Sequence, residues 1–152
     1  MQVVLEVNGR EVVREVAPEE LLLDFLRDTL GLTGVKRSCD VQVCGACTVL
    51  VDGAPVSSCC YLVADADGRR VLTIEGLAEL PEFERLEEAF TRHAGLQCGF
   101  CTPGLLLTVR SLADAGELTS EEEIRRSLAG NLCRCTGYRG ILEAVADAAG
   151  VA

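Results

Sequence analysis

Apolar and polar residues alternate along the first part of the chain, and beyond its midpoint the apolar positions recur every three or four residues. The change marks a switch from strand to helix periodicity. Residues 2–7 and 10–16 are valine-rich alternating runs joined by Asn8-Gly9, a pair suited to a two-residue hairpin turn. Pro18-Glu19-Glu20 predicts a helix start, with proline in the first turn and acids at the positive end of the helix dipole. Leu22, Phe25, Leu26 and Leu30 give that helix an apolar face, and Gly31 and Gly34 end it. After a cysteine-bearing loop, Thr48–Val51, Asp52-Gly53 and Ala54–Val56 predict a second hairpin, and Val71–Ile74 a final strand. This order implies a small β-grasp-like sheet with one helix packed across it.

The periodicity changes near Gly76–Pro81, which divides the chain into residues 1–76 and 77–152. The second part predicts four helices. Phe83, Leu86 and Phe90 share a face of the first. Thr102 is the expected N-cap of the second, with Pro103 at its first position, Leu105, Leu106, Val109 and Leu112 inward, and Gly116 at its end. A capping box, Ser120-x-x-Glu123, opens the third, which runs through Ile124 and Leu128 to Gly130. Ile141, Leu142, Val145 and Ala149 line the fourth, and Gly150 follows it. Short connections between amphipathic helices imply a compact four-helix bundle, and the whole chain is of the α+β class.

Hydrophobic residues make up 49% of the 152, enough for packed cores. Halves of about 75 residues are marginal alone, and a metal centre is a common staple at that size. The net charge of −10 argues against nucleic acid as a partner, because phosphate binding needs Lys/Arg patches. No run approaches the length of a membrane span. The N-terminus runs straight into a strand without a basic, apolar leader, so a cytoplasmic location is expected. In a reducing compartment many cysteines point to metal rather than to disulfides.

Eight of the nine cysteines form two sets. Cys39, Cys44, Cys47 and Cys59 are spaced C-x4-C-x2-C-x11-C, and the start of that spacing is the plant-type ferredoxin pattern for a [2Fe–2S] cluster. Gly45 and Ala46 are small, so backbone N–H groups can approach sulfur. Cys98, Cys101, Cys133 and Cys135 are spaced C-x2-C-x31-C-x-C and flank predicted helix starts, where N–H groups favour thiolate and an anionic cluster. Zinc also takes four cysteines, and the second spacing alone does not exclude it. Cys60 is left over, and reads as a small hydrophobe in the core or as a substitute for Cys59. His93 is the only histidine, so no Rieske-type site can form. It reads as a surface or helix-end residue. Lys36, Arg37, Arg134 and Arg139 flank the cysteine segments, either offsetting cluster charge or merely solvated. No nucleophile with its base, phosphate loop or dinucleotide fingerprint is present, so the chain by itself lacks a substrate site.

Cys44-Gly45-Ala46-Cys47-Thr48-Val49, Gln97-Cys98-Gly99-Phe100-Cys101-Thr102-Pro103-Gly104 and Asn131-Leu132-Cys133-Arg134-Cys135-Thr136-Gly137-Tyr138 together resemble the small iron–sulfur subunit of the molybdenum hydroxylase family. That family includes xanthine dehydrogenases, aldehyde oxidoreductases, aerobic carbon monoxide dehydrogenases and bacterial N-heterocycle dehydrogenases. The resemblance implies a plant-ferredoxin-like domain followed by a four-helix domain, each with one [2Fe–2S] cluster. It implies electron flow from a molybdopterin centre, through the helical-domain cluster and then the ferredoxin-like one, to FAD. Large molybdopterin-binding and medium FAD-binding subunits are the implied partners, in a heterotrimer or a dimer of heterotrimers. Gln97 and Cys135 match positions that contact the pterin. The chain departs from the family at Gln42, where many members have glycine; its side chain must point outward or the loop must turn differently. Cys60 replaces a residue that is usually apolar. A free-standing two-cluster ferredoxin and a zinc-stabilised module are the competing readings.

Overall fold

The computed structural model describes residues 1–151. Five strands form one mixed sheet, β1 (Gln2–Val7), β2 (Arg10–Glu15), β3 (Thr48–Val51), β4 (Ala54–Ser57) and β5 (Arg70–Leu72), in the order β2-β1-β5-β3-β4. β1 and β5 are parallel, and the other neighbours are antiparallel. Both predicted hairpins form: Asn8-Gly9 and Asp52-Gly53 take positive φ at both central positions, which matches the twist of the strands they join. Val3, Leu5 and Val7 face inward along β1, against Leu22, Leu23, Phe25 and Leu26.

The helix expected from Pro18 starts later. Pro18-Glu19 is a turn closed by a Glu20 N–H to Ala17 C=O bond of 3.1 Å. The Leu22 N–H is taken by the Tyr61 carbonyl at 2.7 Å, and Leu21 bridges to Leu62, so the chain stays extended until α1 (Leu22–Asp24). The helix then widens into a π-turn, Phe25–Thr29, in which Leu30 N–H reaches back five residues to the Phe25 carbonyl. The last strand ends at Leu72 rather than Ile74. Thr73 N–H goes to the Asn8 side chain at 2.8 Å, and Ile74 opens the short α2 (Ile74–Leu77).

The remaining helices are α3 (Glu82–Arg92), α4 (Thr102–Ala115), α5 (Glu121–Ser127) and α6 (Arg139–Ala149). The capping box forms: Ser120 Oγ accepts the Glu123 N–H at 3.3 Å. Gly116 and Gly150 end α4 and α6 in left-handed conformation. Cys101, not Thr102, holds the N-cap position of α4, and the Thr102 hydroxyl is buried without a partner.

All four residues of β3 are buried, because both faces of this strand are covered. Val49 and Val51 join the core beneath the sheet, while Leu50 joins Leu105, Leu106, Val109, Ile124 and Ile141 among the helices. α4 lies across β3, and this contact brings the two cysteine segments together. No helix is long and apolar enough to cross a membrane among the described residues.

Candidate metal centre

The first cysteine loop owes its shape to left-handed residues. Asp40, Gln42 and Gly45 have φ of 55°, 60° and 70°. Alternation of this kind turns successive N–H groups toward one point, a nest for an anion. Cys39 Sγ accepts the Val43 and Cys44 N–H groups, each at 3.4 Å. Hydrogen bonds from the Val41, Val43 and Cys44 backbone lower the Cys39 thiol from its ordinary value to about 6. Gln42 therefore adopts the conformation that glycine takes most cheaply, with its side chain exposed.

Cys47 is buried and neighbours Cys59, which is carried by the 3₁₀ turn Ser58–Cys60. Burial, partly opposed by the Cys59 backbone N–H, pushes the Cys47 thiol up to about 11. Cys60 is not in the core. A 3₁₀ turn rotates successive residues by about 120°, so when Cys59 points inward its neighbour points out. Cys60 is exposed, with Sγ 3.7 Å from Cys59 Sγ and 3.9 Å from the Asp40 carbonyl oxygen.

The second set sits at the starts of α4 and α6. Cys98 and Cys135 place their sulfurs 3.5 Å apart, and Cys133 lies beside Cys101. Burial, with Cys133 alongside, pushes the Cys101 thiol up to about 12. At Cys133 burial pulls upward too, but it is outweighed by bonds from the Thr136 hydroxyl at 3.2 Å and from the Thr136 and Cys135 backbone, so the net shift is downward. All nine thiols are free. Within each set neighbouring thiols act on one another, Cys44 on Cys39, Cys59 on Cys47 and Cys133 on Cys101, and the Cys98 and Cys135 sulfurs are 3.5 Å apart. Among the described residues no three Cys, His, Asp or Glu side chains converge on a single ion-sized point.

One cleft of about 640 Å³ is lined by all four cysteines of the second set, Cys98, Cys101, Cys133 and Cys135, and by Cys44 of the first loop. Arg134 lines it too, whereas Arg37 is occupied by Asp24 and Asp40, Arg139 by Glu143, and Lys36 by the Thr33 carbonyl. Gln97 is exposed in the loop before Cys98. His93 lies at the C-terminal end of α3, bonded to Asp147 at 2.9 Å and away from the cleft. Hydrophobic periodicity gave no sign of Asn131, which is buried and donates to the Gly45 carbonyl at 3.2 Å.

Residues 5–73 match the family described as a 2Fe-2S iron-sulfur cluster binding domain, and residues 73–146 the family described as a [2Fe-2S] binding domain. The chain is 49% identical over 150 residues to the nicotine 6-hydroxylase small subunit of Paenarthrobacter nicotinovorans, covering 99% of this chain and 90% of that one. It superimposes with a TM-score of 0.91 on a chain of quinoline 2-oxidoreductase from Pseudomonas putida 86, at 43% identity, over 99% of this chain and 94% of the other. On aldehyde oxidoreductase from Desulfovibrio gigas the TM-score is 0.90, again at 43% identity and 99% coverage of this chain, which there corresponds to 17% of a longer polypeptide. With both iron–sulfur family models matched in succession over residues 5–146 and the likeness to these proteins running through nearly the whole chain, the chain belongs to the family of small [2Fe–2S] iron–sulfur subunits of molybdenum hydroxylase-type oxidoreductases.

Proposed function

We propose that this chain holds two [2Fe–2S] clusters and relays electrons from a molybdopterin centre in a large partner subunit to FAD in a medium one. Cys39, Cys44, Cys47 and Cys59 would ligate the cluster of residues 1–76, and Cys98, Cys101, Cys133 and Cys135 that of residues 77–152. The observation that carries the reading is the placing of the thiols: Cys39 Sγ sits in a nest of backbone N–H groups in the first loop, and the Cys98 and Cys135 sulfurs lie 3.5 Å apart at the starts of α4 and α6, surroundings that suit an anionic cluster held by four thiolates. The donors suit that group. Cys39 and Cys133 are already shifted toward thiolate, while the buried Cys47 and the partly buried Cys101 need nearby metal charge to ionise. The buried Thr102 hydroxyl beside Cys101 lacks an acceptor, which a sulfur-rich anion would offer. When bound, each cluster supplies one-electron chemistry, taking and giving electrons singly.

The chain's own residues hold, insulate and present these centres. The backbone N–H groups around Cys39 and the Thr136 hydroxyl at Cys133 stabilise negative charge on sulfur and so tune potential. Exposed apolar side chains mark two docking faces. Phe100 and Leu132, both exposed, line the cleft together with Cys135, and exposed Leu96 adjoins Gln97 in sequence; this is the face for the molybdopterin subunit, with Gln97 and Cys135 contacting the pterin. Val41 and Val43, 64% and 59% exposed on the first loop, form the face for the FAD subunit.

The test is the visible and EPR spectrum of the chain, oxidised and dithionite-reduced, with metal analysis, followed by purification of the complex. About four irons, two distinct S = 1/2 signals and co-elution with molybdenum and flavin are expected. A colourless zinc protein, or a complex without molybdenum, refutes the reading.

A further inference from the structure

The segment Asn131-Leu132-Cys133 touches the first cysteine loop by backbone. The Leu132 N–H donates to the Cys44 carbonyl at 2.8 Å, and the Asn131 side-chain amide donates to the next carbonyl, Gly45, at 3.2 Å. Cys44 belongs to one cysteine set, and Cys133, adjacent to Leu132, to the other. A single hydrogen bond thus closes an otherwise covalent route from Cys44 Sγ to Cys133 Sγ. Electron tunnelling decays less along bonds and hydrogen bonds than across gaps, so this route outweighs a through-space one of similar length.

The placement of Leu132 does not come from its side chain, which is 51% exposed. Its neighbours hold it. The Tyr138 hydroxyl accepts the Cys133 N–H at 2.8 Å and donates to the Asn131 carbonyl at 3.1 Å, clamping the peptides on both sides of Leu132. Asn131 is 4% exposed, and a buried amide is retained at a cost unless bonded. Its partner carbonyl already accepts the Thr48 N–H at 3.2 Å and the Thr48 hydroxyl at 2.8 Å. The Asn131 bond is therefore surplus to satisfying Gly45, and its consequence is register between the two loops.

We infer that Asn131 and Tyr138 are positioning residues that hold the Leu132 N–H on the Cys44 carbonyl, making this hydrogen bond the principal electronic link between the two centres. The inference rests on the two-cluster reading above. Wild-type protein with fewer than two clusters defeats that reading at the stage of iron analysis, before any variant is made.

The experiment compares wild type with Asn131→Ala, Asn131→Asp and Tyr138→Phe. Iron content counts the clusters. Low-temperature EPR of the fully reduced protein reads the magnetic splitting between them, and rapid-freeze reduction reads transfer from one to the other. Because the Gly45 carbonyl keeps both Thr48 donors, the variants are expected to load both clusters. Asn131→Ala and Tyr138→Phe should slow intercluster transfer severalfold, while a retained dipolar splitting reports that the two clusters keep their spacing. Asn131→Asp, which turns an acceptor toward the Gly45 carbonyl, should do the same or more. Full loading with wild-type transfer overturns the inference. Failure of all three variants to load also overturns it, since Asn131 and Tyr138 would then serve assembly rather than coupling.

Discussion

Gly104→Ala tests the contact on which the two halves are aligned. A Cβ at Gly104 would lie 2.2 Å from the Gly45 carbonyl oxygen and 3.3 Å from its carbon. Neither neighbour is a flexible side-chain tip. The oxygen is backbone, held by the Thr48 N–H, the Thr48 hydroxyl and the Asn131 amide. Either the first turn of α4 or the cysteine loop must retreat by roughly an ångström, and overpacking of this kind costs about 1–3 kcal/mol. Because the displaced group also loses hydrogen-bond geometry, the upper part of that range, about 2–3 kcal/mol, is expected. For a chain of this size that lowers the melting temperature by roughly 4–12 °C. Gly130→Ala is the control, since nothing lies within 4 Å of a Cβ there and its φ is not positive. The assay is a thermal melt by far-UV circular dichroism, with EPR of the reduced protein alongside. A Gly104→Ala protein that melts with the control and keeps the wild-type EPR spectrum would refute the described apposition of α4 and the first loop.

Gln42 sits at φ 60°, a conformation that costs a side-chain-bearing residue about 1–2 kcal/mol, so Gln42→Gly should stabilise the protein by about 0.5–1 kcal/mol after the larger backbone entropy of unfolded glycine is subtracted; an unchanged or lower melting temperature would count against the loop geometry. In metal-free protein the Cys39 thiol, lowered to about 6, should be alkylated by iodoacetamide at pH 7 well before Cys47 or Cys101, read by peptide mass spectrometry. Because the folded value lies below the ordinary one, Cys39 contributes to metal-free stability above pH 9, and that contribution declines as pH falls toward and through 6, which denaturation midpoints across this window will read. Ser120→Ala removes the α5 cap and should cost about 1 kcal/mol in chemical denaturation, whereas Ser120→Asp should retain most of it.

What the chain declares openly is local chemistry. Asn8-Gly9 and Asp52-Gly53 announce their turns because positive φ at adjacent positions selects those residues. The Ser120 capping box and the glycine stops are legible for the same reason, as are the cysteine sets, whose spacing reports how a loop can wrap. What stays hidden is decided by partners far along the chain. Leu22 cannot extend its helix back to Pro18 because its N–H is taken by Tyr61. Thr48-Val49-Leu50-Val51 reads as a strand, but nothing in those four residues says that α4, more than fifty positions later, will cover its second face. Cys60 was expected in the core because cysteine is small and apolar, and the pitch of a three-residue turn overruled that preference. Asn131 is silent in a hydrophobic pattern, since its role depends on a carbonyl 86 residues earlier.

The double burial of β3 has a consequence during synthesis on the ribosome. At about 5–20 residues per second, α4 is completed roughly 3–13 s after β3 has emerged. Once β5 has followed within that interval, the sheet can close its lower core, while Leu50 and Leu72 stand open to water with no covering helix. The nascent chain therefore passes through a stage with a sticky upper face and a cysteine loop whose Gly45 carbonyl has not yet met α4 or Asn131. Chaperone engagement and the timing of cluster delivery would both be set by the arrival of residues 102–131 rather than by the first cysteines to appear.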